Sequence, residues 1–418
     1  MNLPKKKTKA LTRRSALQSF LALAGTMAHS GITPGEENSS AAERESDEIP
    51  VKITKLETFL VKPRWIFLKV HTDAGVVGLG EPLLEGRSLT IQTAIKEIEP
   101  YLIGKDPREV VHHWQAIYRH AFYRGGPILT SALSGIDQAL WDIKGKLLNA
   151  PVYELFGGPT RDRVRIYGRA SNAEDMKKRV AEGYTVIKTG VAKERPARAV
   201  DNPKFIRYAV ENFASLREAG GETMDIGIDF HGAIPPQTAK VLIKELEPYQ
   251  PMFIEEPCQA QNVDVLVDIA RGTHLPIATG ERIFTKWGFR EILEKGAASI
   301  LQPDLCHAGG ITEGRIIAGM AEAYYAVIAP HNPMGPISLA AGLQLAASIP
   351  NFLVQEQVSL GEGYLKEPFK LQPDGTVMVP TKPGLGVELD ENKLADKIGH
   401  DWKNPETYDP LDGSVVDW

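Results

Sequence analysis

Two patterns of apolar and polar positions divide the chain. Residues 51–70 and 75–80 alternate β-branched and aromatic residues with polar ones, around the turn His71-Thr72-Asp73-Ala74-Gly75. Period-two alternation predicts two or three antiparallel strands. Residues 89–103 and 130–148 have helical periodicity. A further helix is expected from Asp106-Pro107, read as an N-cap with Pro in the first turn, to about His120. After residue 164 the rhythm changes. Short apolar runs at 164–167, 186–188, 226–229, 252–254, 277–279, 299–301, 327–329 and 353–355 alternate with amphipathic segments at 173–182, 203–219, 236–247, 263–271, 285–295, 311–324 and 337–348. Eight short strands with helical crossovers predict a parallel α/β barrel. Past residue 360 the alternation ends, and 361–418 reads as a loop-rich segment returning to the first domain. The expected division is therefore an α+β domain over 51–163, a barrel over 164–360, and the returning segment.

Composition alters this picture mainly at the N-terminus. The apolar content is 43% and the charged content 24%, typical of a globular chain. The formal charge is −5, although Lys5, Lys6, Lys7, Lys9, Arg13 and Arg14 crowd the first 30 residues, which hold no acid. The remainder is more acidic still and has no basic stripe, which argues against nucleic acid as a partner. Residues 15–28 form a modest apolar run, too short to span a bilayer. Thr12-Arg13-Arg14-Ser15 ahead of it resembles a twin-arginine signal, so residues 1–30 are expected to direct export to the periplasm. Residues 31–50 are acidic and aperiodic, and read as a disordered tether. Cys258 and Cys306 make neither a disulfide framework nor a C-x-x-C metal motif.

Polar residues recur just after the apolar strands. In Asp225–Gly232 (DIGIDFHG), Asp229 and His231 lie two apart, and in a strand they would share a face. Glu255 follows Asp229 by about 26 residues and Glu281 follows Glu255 by about 26 more, one strand–helix unit each time. Asp304, His331 and Glu356 continue the series. One such residue per unit gathers all of them at one mouth of the barrel. Three carboxylates from neighbouring strands suit a hard divalent cation such as Mg²⁺. Asp304 and His331 end adjacent strands, where a carboxylate would fix the imidazole's tautomer and raise its basicity. His231 would face His331 from across the barrel. Lys188 ends the second strand and could meet a substrate carboxylate or pair with an acid. His307, in Cys306-His307-Ala308-Gly309-Gly310, reads as loop architecture.

These residues resemble the enolase superfamily, in its mandelate racemase-like subgroup, and within it the D-galactonate dehydratases. The resemblance spans residues 51–418. It is carried by Pro63-Arg64-Trp65, Gly75-Val76-Val77-Gly78, Tyr123–Leu129 (YRGGPIL), Gly135–Lys146 (GIDQALWDIKGK), Ile254–Pro257 (IEEP), Ile300–Gly310 (ILQPDLCHAGG), Ala329–Pro333 (APHNP) and Thr381–Val387 (TKPGLGV). It implies a modified (β/α)8-type barrel, TIM-like and of the (β/α)7β kind, with an α+β capping domain built from both chain ends. It implies one Mg²⁺ held by Asp229, Glu255 and Glu281, acid/base roles for His231 and His331 with Asp304 supporting His331, and stabilisation of an enediolate by Glu356. The implied reaction is dehydration of a sugar acid, a D-galactonate-like aldonate, to a 2-keto-3-deoxy acid. His331 would take the C2 proton and His231 would assist loss of the C3 hydroxyl. We expect a homo-oligomer acting on a small sugar acid, with no membrane span.

The match departs from the subgroup in two ways. Lys188-Thr189-Gly190 lacks the second lysine of the subgroup's Lys-x-Lys pair, which favours a two-histidine dehydratase over a Lys/His racemase. Ala233 stands where the galactonate enzymes are expected to carry Arg, and residues 168–175 are shortened. The alternatives are a racemase or epimerase of a related carboxylate, or an exported sugar-acid-binding protein without activity.

Overall fold

The computed structural model describes residues 50–191, 203–409 and 412–417; the export signal and tether expected at the N-terminus lie outside them. Three antiparallel strands open the described chain: β1 (Ile53–Val61), β2 (Trp65–Thr72) and β3 (Val77–Gly80). The helices α1 (Ser88–Leu102), α2 (Val110–His120) and α3 (Pro127–Leu147) follow. Strand β2 is buried on both faces at its start, from Trp65 to Leu68, and alternates only beyond, where Val70 is buried between the half-buried Lys69 and His71. The expected helix start at Asp106 is a correction: α2 begins at Val110. The Asp106 carboxylate instead accepts from the Arg108 backbone N–H (2.9 Å) and its guanidinium, closing a turn.

Helix α3 is the spine between the two parts of the chain. Most of its residues are buried on every side. It lies directly on β3, because a Cβ on Gly80 would stand 2.0 Å from the Gly135 carbonyl oxygen and one on Gly78 2.2 Å from that of Ala139. No other residue permits that approach.

The second part continues with β4 (Arg163–Arg165), β5 (Gly168–Arg169), α4 (Ala173–Glu182), β6 (Val186–Gly190), α5 (Pro203–Gly220), β7 (Asp225–Asp229), α6 (Pro236–Leu246), β8 (Phe253–Glu255), α7 (Val263–Arg271), β9 (Ile277–Thr279), α8 (Thr285–Lys295), β10 (Ile300–Leu301), α9 (Gly310–Ala323), β11 (Val327–Ile328) and α10 (Pro336–Ser348). Strands β5 to β11 form one parallel sheet in sequence order. Closure comes from residues 352–355, which form parallel bridges Ile328↔Phe352 and Ile166↔Gln355 rather than an eighth full strand. The barrel interior is a small apolar cluster taking Tyr167, Val186, Phe253, Ala278, Ile300, Ala329 and Val354. The expected barrel strand at 164–167 divides in two. Its first half belongs to β4, paired antiparallel with β12 (Thr376–Met378), while Ile166 bridges Gln355 at the barrel's closure and leads into β5.

Hydrogen bonds fasten the cap to the barrel. Trp114 Nε1 donates to the Gly309 carbonyl (2.8 Å), Trp141 Nε1 to Thr312 Oγ1 (2.9 Å), and Gln138 Nε2 to the Leu305 carbonyl (2.8 Å). Glu81, fully buried just after β3, accepts from the backbone N–H groups of Gly335 (2.6 Å) and Ser338 (3.0 Å) at the start of α10. The last segment includes α11 (Glu391–Leu394) and returns to β1, where Val61 bridges Ile398. No helix among the described residues is long and apolar enough to cross a membrane.

Candidate active site

Parallel strands deliver their C-terminal residues to one mouth. There, ligand-type oxygens of Asp229, Glu255 and Glu281 all lie within 4.8 Å of one another. Lys188, at the end of β6 and 4% exposed, reaches into this group. Its Nζ stands 2.6 Å from Glu255 Oε1, 3.1 Å from Glu356 Oε1 and 3.8 Å from Asp229 Oδ2. Gln302 Nε2 donates to the other Glu255 oxygen (2.8 Å). Lys188 is thus not an exposed lysine: it is paired with buried acids and also lines the cavity at this mouth. Burial would lower its pKa, but Glu255 and Glu356 hold it well above the usual range. Burial first, then repulsion from neighbouring carboxylates, pushes Glu255 and Glu281 up, against the pull of Lys188 and His331. Three crowded carboxylates facing one lysine fit a divalent cation, whose charge would relieve that repulsion.

His331 follows β11. Its Nδ1 is 2.7 Å from Asp304 Oδ2, and Asp304 Oδ1 accepts from the Cys306 backbone N–H at 2.6 Å. The carboxylate thereby leaves Nε2 pointing toward Glu281, 3.1 Å from its Oε2. Burial would depress this imidazole, but Glu281, Glu356 and Asp304 raise it to about 10. Glu356 is fully buried. Its oxygens take Arg169 Nη2 (2.7 Å), Lys188 Nζ (3.1 Å) and the Asn332 N–H (3.0 Å). Burial opposes ionisation there, yet Lys188, His331 and Arg169 hold it well below the carboxylate range.

His231 reaches the site by a different route from the one its spacing suggests. Strand β7 stops at Asp229, and His231 adopts the left-handed φ of 55°. Its backbone N–H donates to Asp229 Oδ1 (2.6 Å), and its ring Nε2 lies 4.0 Å from Glu281 Oε1. A non-glycine residue held in this region marks a turn that its surroundings enforce. Behind it, the Arg282 guanidinium occupies the place where any Cβ on Gly232 would fall, and pairs with the buried Glu256.

Of these groups, Arg169, Lys188, Asp229, His231, Glu281, Arg282 and His331 line a cavity of about 310 Å³ with Arg64, Leu84, Glu85, Phe284, His307 and Pro333. The cap thus supplies charged residues that the strand-end pattern does not reveal. His307 is not merely loop architecture, since it lines the cavity, with Nδ1 3.0 Å from Ser131 Oγ and Nε2 3.6 Å from Glu85 and 3.8 Å from Asp304. The Pro63-Arg64-Trp65 motif contains Arg64, but nothing in its spacing points to a site. Ala233 lines a separate cavity of about 450 Å³, with Pro235, Cys258, Asn262 and the tail residues Val415 and Val416.

The profile of the enolase C-terminal domain-like family matches residues 171–393, and that of the mandelate racemase/muconate lactonizing enzyme N-terminal domain matches residues 40–157. Solved structures agree. A protein from Mesorhizobium loti provisionally named a dehydratase is 33% identical over 84% of this chain and 99% of its own, with a TM-score of 0.77. An enolase from Agrobacterium radiobacter, provisionally named a galactarate dehydratase and carrying bound Na and L-malate, is 30% identical over 87% of this chain and 99% of its own, with a TM-score of 0.82. A mandelate racemase/muconate lactonizing enzyme from Sulfitobacter sp. is 32% identical over 88% of this chain and 100% of its own, with a TM-score of 0.80.

Proposed function

The chain belongs to the enolase superfamily, in its mandelate racemase/muconate lactonizing branch, and on that premise we propose that it is a Mg²⁺-dependent dehydratase of a sugar acid, a D-galactonate-like aldonate. The observation carrying this reading is that two imidazoles, His331 at 3.1 Å and His231 at 4.0 Å, approach the same carboxylate, Glu281, of the acidic triad. A substrate carboxylate at the triad would have one imidazole on each side.

Asp229, Glu255 and Glu281 would hold the ion, which would supply Lewis-acid stabilisation of the negative charge on the substrate carboxylate. A Lys or His base working beside Mg²⁺ is the general chemistry of enolase-superfamily sites and is adopted as such. The remaining work falls to the chain's own residues. Asp304 holds the His331 Nδ1–H, so that in the neutral ring Nε2 is the basic nitrogen that takes the C2 proton; an ion held by Glu281 would offset the carboxylate charge that otherwise keeps this ring protonated. Lys188 and Arg169 keep Glu356 ionised and fixed beside this base. His231, more exposed than His331 and on the opposite flank of Glu281, would give its proton to the departing C3 hydroxyl. The enol left behind tautomerises to the 2-keto-3-deoxy acid.

The test is a panel of aldonates and aldarates incubated with the Mg²⁺-loaded protein and assayed for 2-keto acids. Formation of such a product from an aldonate supports the reading. Solvent deuterium entering C2 with no keto product would instead identify an epimerase. That second reading is favoured by the opposed imidazoles and by relatives named as racemases. The absence of both product and exchange across the panel would leave a binding protein. Export is part of the proposal, tested by fractionation: full-length protein retained in the cytoplasm would refute it.

A further inference from the structure

Glu85 follows β3 on the capping side of the cavity, where its carboxylate shares the wall with Asp229, His231, Glu281 and His331. A guanidinium and an imidazole flank it. Arg64 Nη2 stands 3.7 Å from Oε1 and His307 Nε2 3.6 Å from Oε2. Both distances fall within ion pairing but beyond an N–H···O hydrogen bond, so both oxygens retain acceptor capacity. Burial would raise this carboxyl, yet His307, then His331 and Arg64, bring it down to about 2, so it is charged at any working pH.

The flanking groups are committed elsewhere as well. The Arg64 guanidinium lies over the Trp402 ring at 5.1 Å and reaches the Pro333 carbonyl at 3.5 Å. His307 is fixed by Ser131 and shared with Asp304. What this wall presents to a ligand is therefore a fixed anion held between Arg64 and His307, and a carboxylate in that position keeps lone pairs for a further donor. Such a group accepts from a hydroxyl and repels a second carboxylate at short range.

We propose that Glu85 is a specificity residue that accepts a hydrogen bond from a hydroxyl on the distal chain of the substrate and so selects a monoacid polyol over the diacid of the same stereochemistry. The inference rests on the sugar-acid reading above. It also predicts an inversion: without the Glu85 charge, Arg64 becomes an uncompensated cation and the wall turns attractive to a distal carboxylate.

The experiment compares matched aldonate and aldarate pairs with the Mg²⁺-loaded full chain and its Glu85→Gln variant. Both kcat/KM and calorimetric affinity are measured, the latter in the His331→Asn background so that turnover is not required. In Glu85→Gln the monoacid-to-diacid ratio is expected to fall by roughly tenfold or more, the worth of one charge-assisted hydrogen bond, through KM rather than kcat. Arg64→Met, which removes a cation instead, should widen the ratio. A ratio unchanged within about twofold in both variants would overturn the inference and leave Glu85 a brace between Arg64 and His307, as would a wild-type protein that binds the diacid better or binds neither acid. Glu85-dependent binding of the monoacid without dehydration would refute the dehydratase reading while supporting this one.

Discussion

The two walls of the cavity are built on opposite principles. On the barrel wall each strand–helix unit supplies one functional group: Asp229 and Glu255 end their strands, and Glu281, Asp304 and His331 follow theirs within three residues. On the capping wall Arg64, Glu85 and His307 come from unrelated loops, and two of the three belong to the antiparallel part of the chain. The barrel wall therefore has a period and the capping wall has none. Chemistry common to many substrates belongs on the periodic wall, whose geometry the parallel sheet dictates. Discrimination among substrates belongs on the irregular one, where single residues can change without disturbing a register.

Substitutions test that division. The largest effect is expected on the barrel wall, where His331→Asn should lower kcat by about 10³-fold while Mg²⁺ still binds; near wild-type turnover would remove His331 as the base. Glu281→Gln should weaken Mg²⁺ about 10²-fold in a calorimetric titration, and an unchanged isotherm would dissolve the triad as an ion site. Asp304→Asn should cost about tenfold or more in kcat with little change in KM, because the amide no longer selects the His331 tautomer. Smaller still, and confined to stability, Trp114→Phe should cost about 1 kcal/mol in denaturant unfolding by losing the bond to the Gly309 carbonyl. If that last change altered substrate preference instead, the separation of the two walls would be wrong.

The same contrast explains what can be read from the sequence. The barrel is legible because short apolar runs at regular spacing have few other solutions, and the triad follows because each acid closes such a run. His231 joins the cavity for a reason its spacing does not contain: it lies beyond the strand, in a left-handed turn. The apolar run at 164–167 misleads because alternation does not say which partner a strand takes, and its first half pairs with β12, more than 200 residues onward. Asp106-Pro107 carries the signature of a helix start, but the Arg108 guanidinium captures the carboxylate. Arg64 and Glu85 give no signal, because their meeting with His307 depends on how the cap docks through α3.

One contact ties the capping strands to the start of a barrel helix. Helix α10 has no polar face, and its first N–H groups are answered by Glu81, 254 residues earlier than Gly335. Inside the assembled chain water has no access to these donors, so the capping segment supplies their acceptor. The cap thus completes the hydrogen bonding of a barrel helix, and the two parts are joined by more than apolar packing.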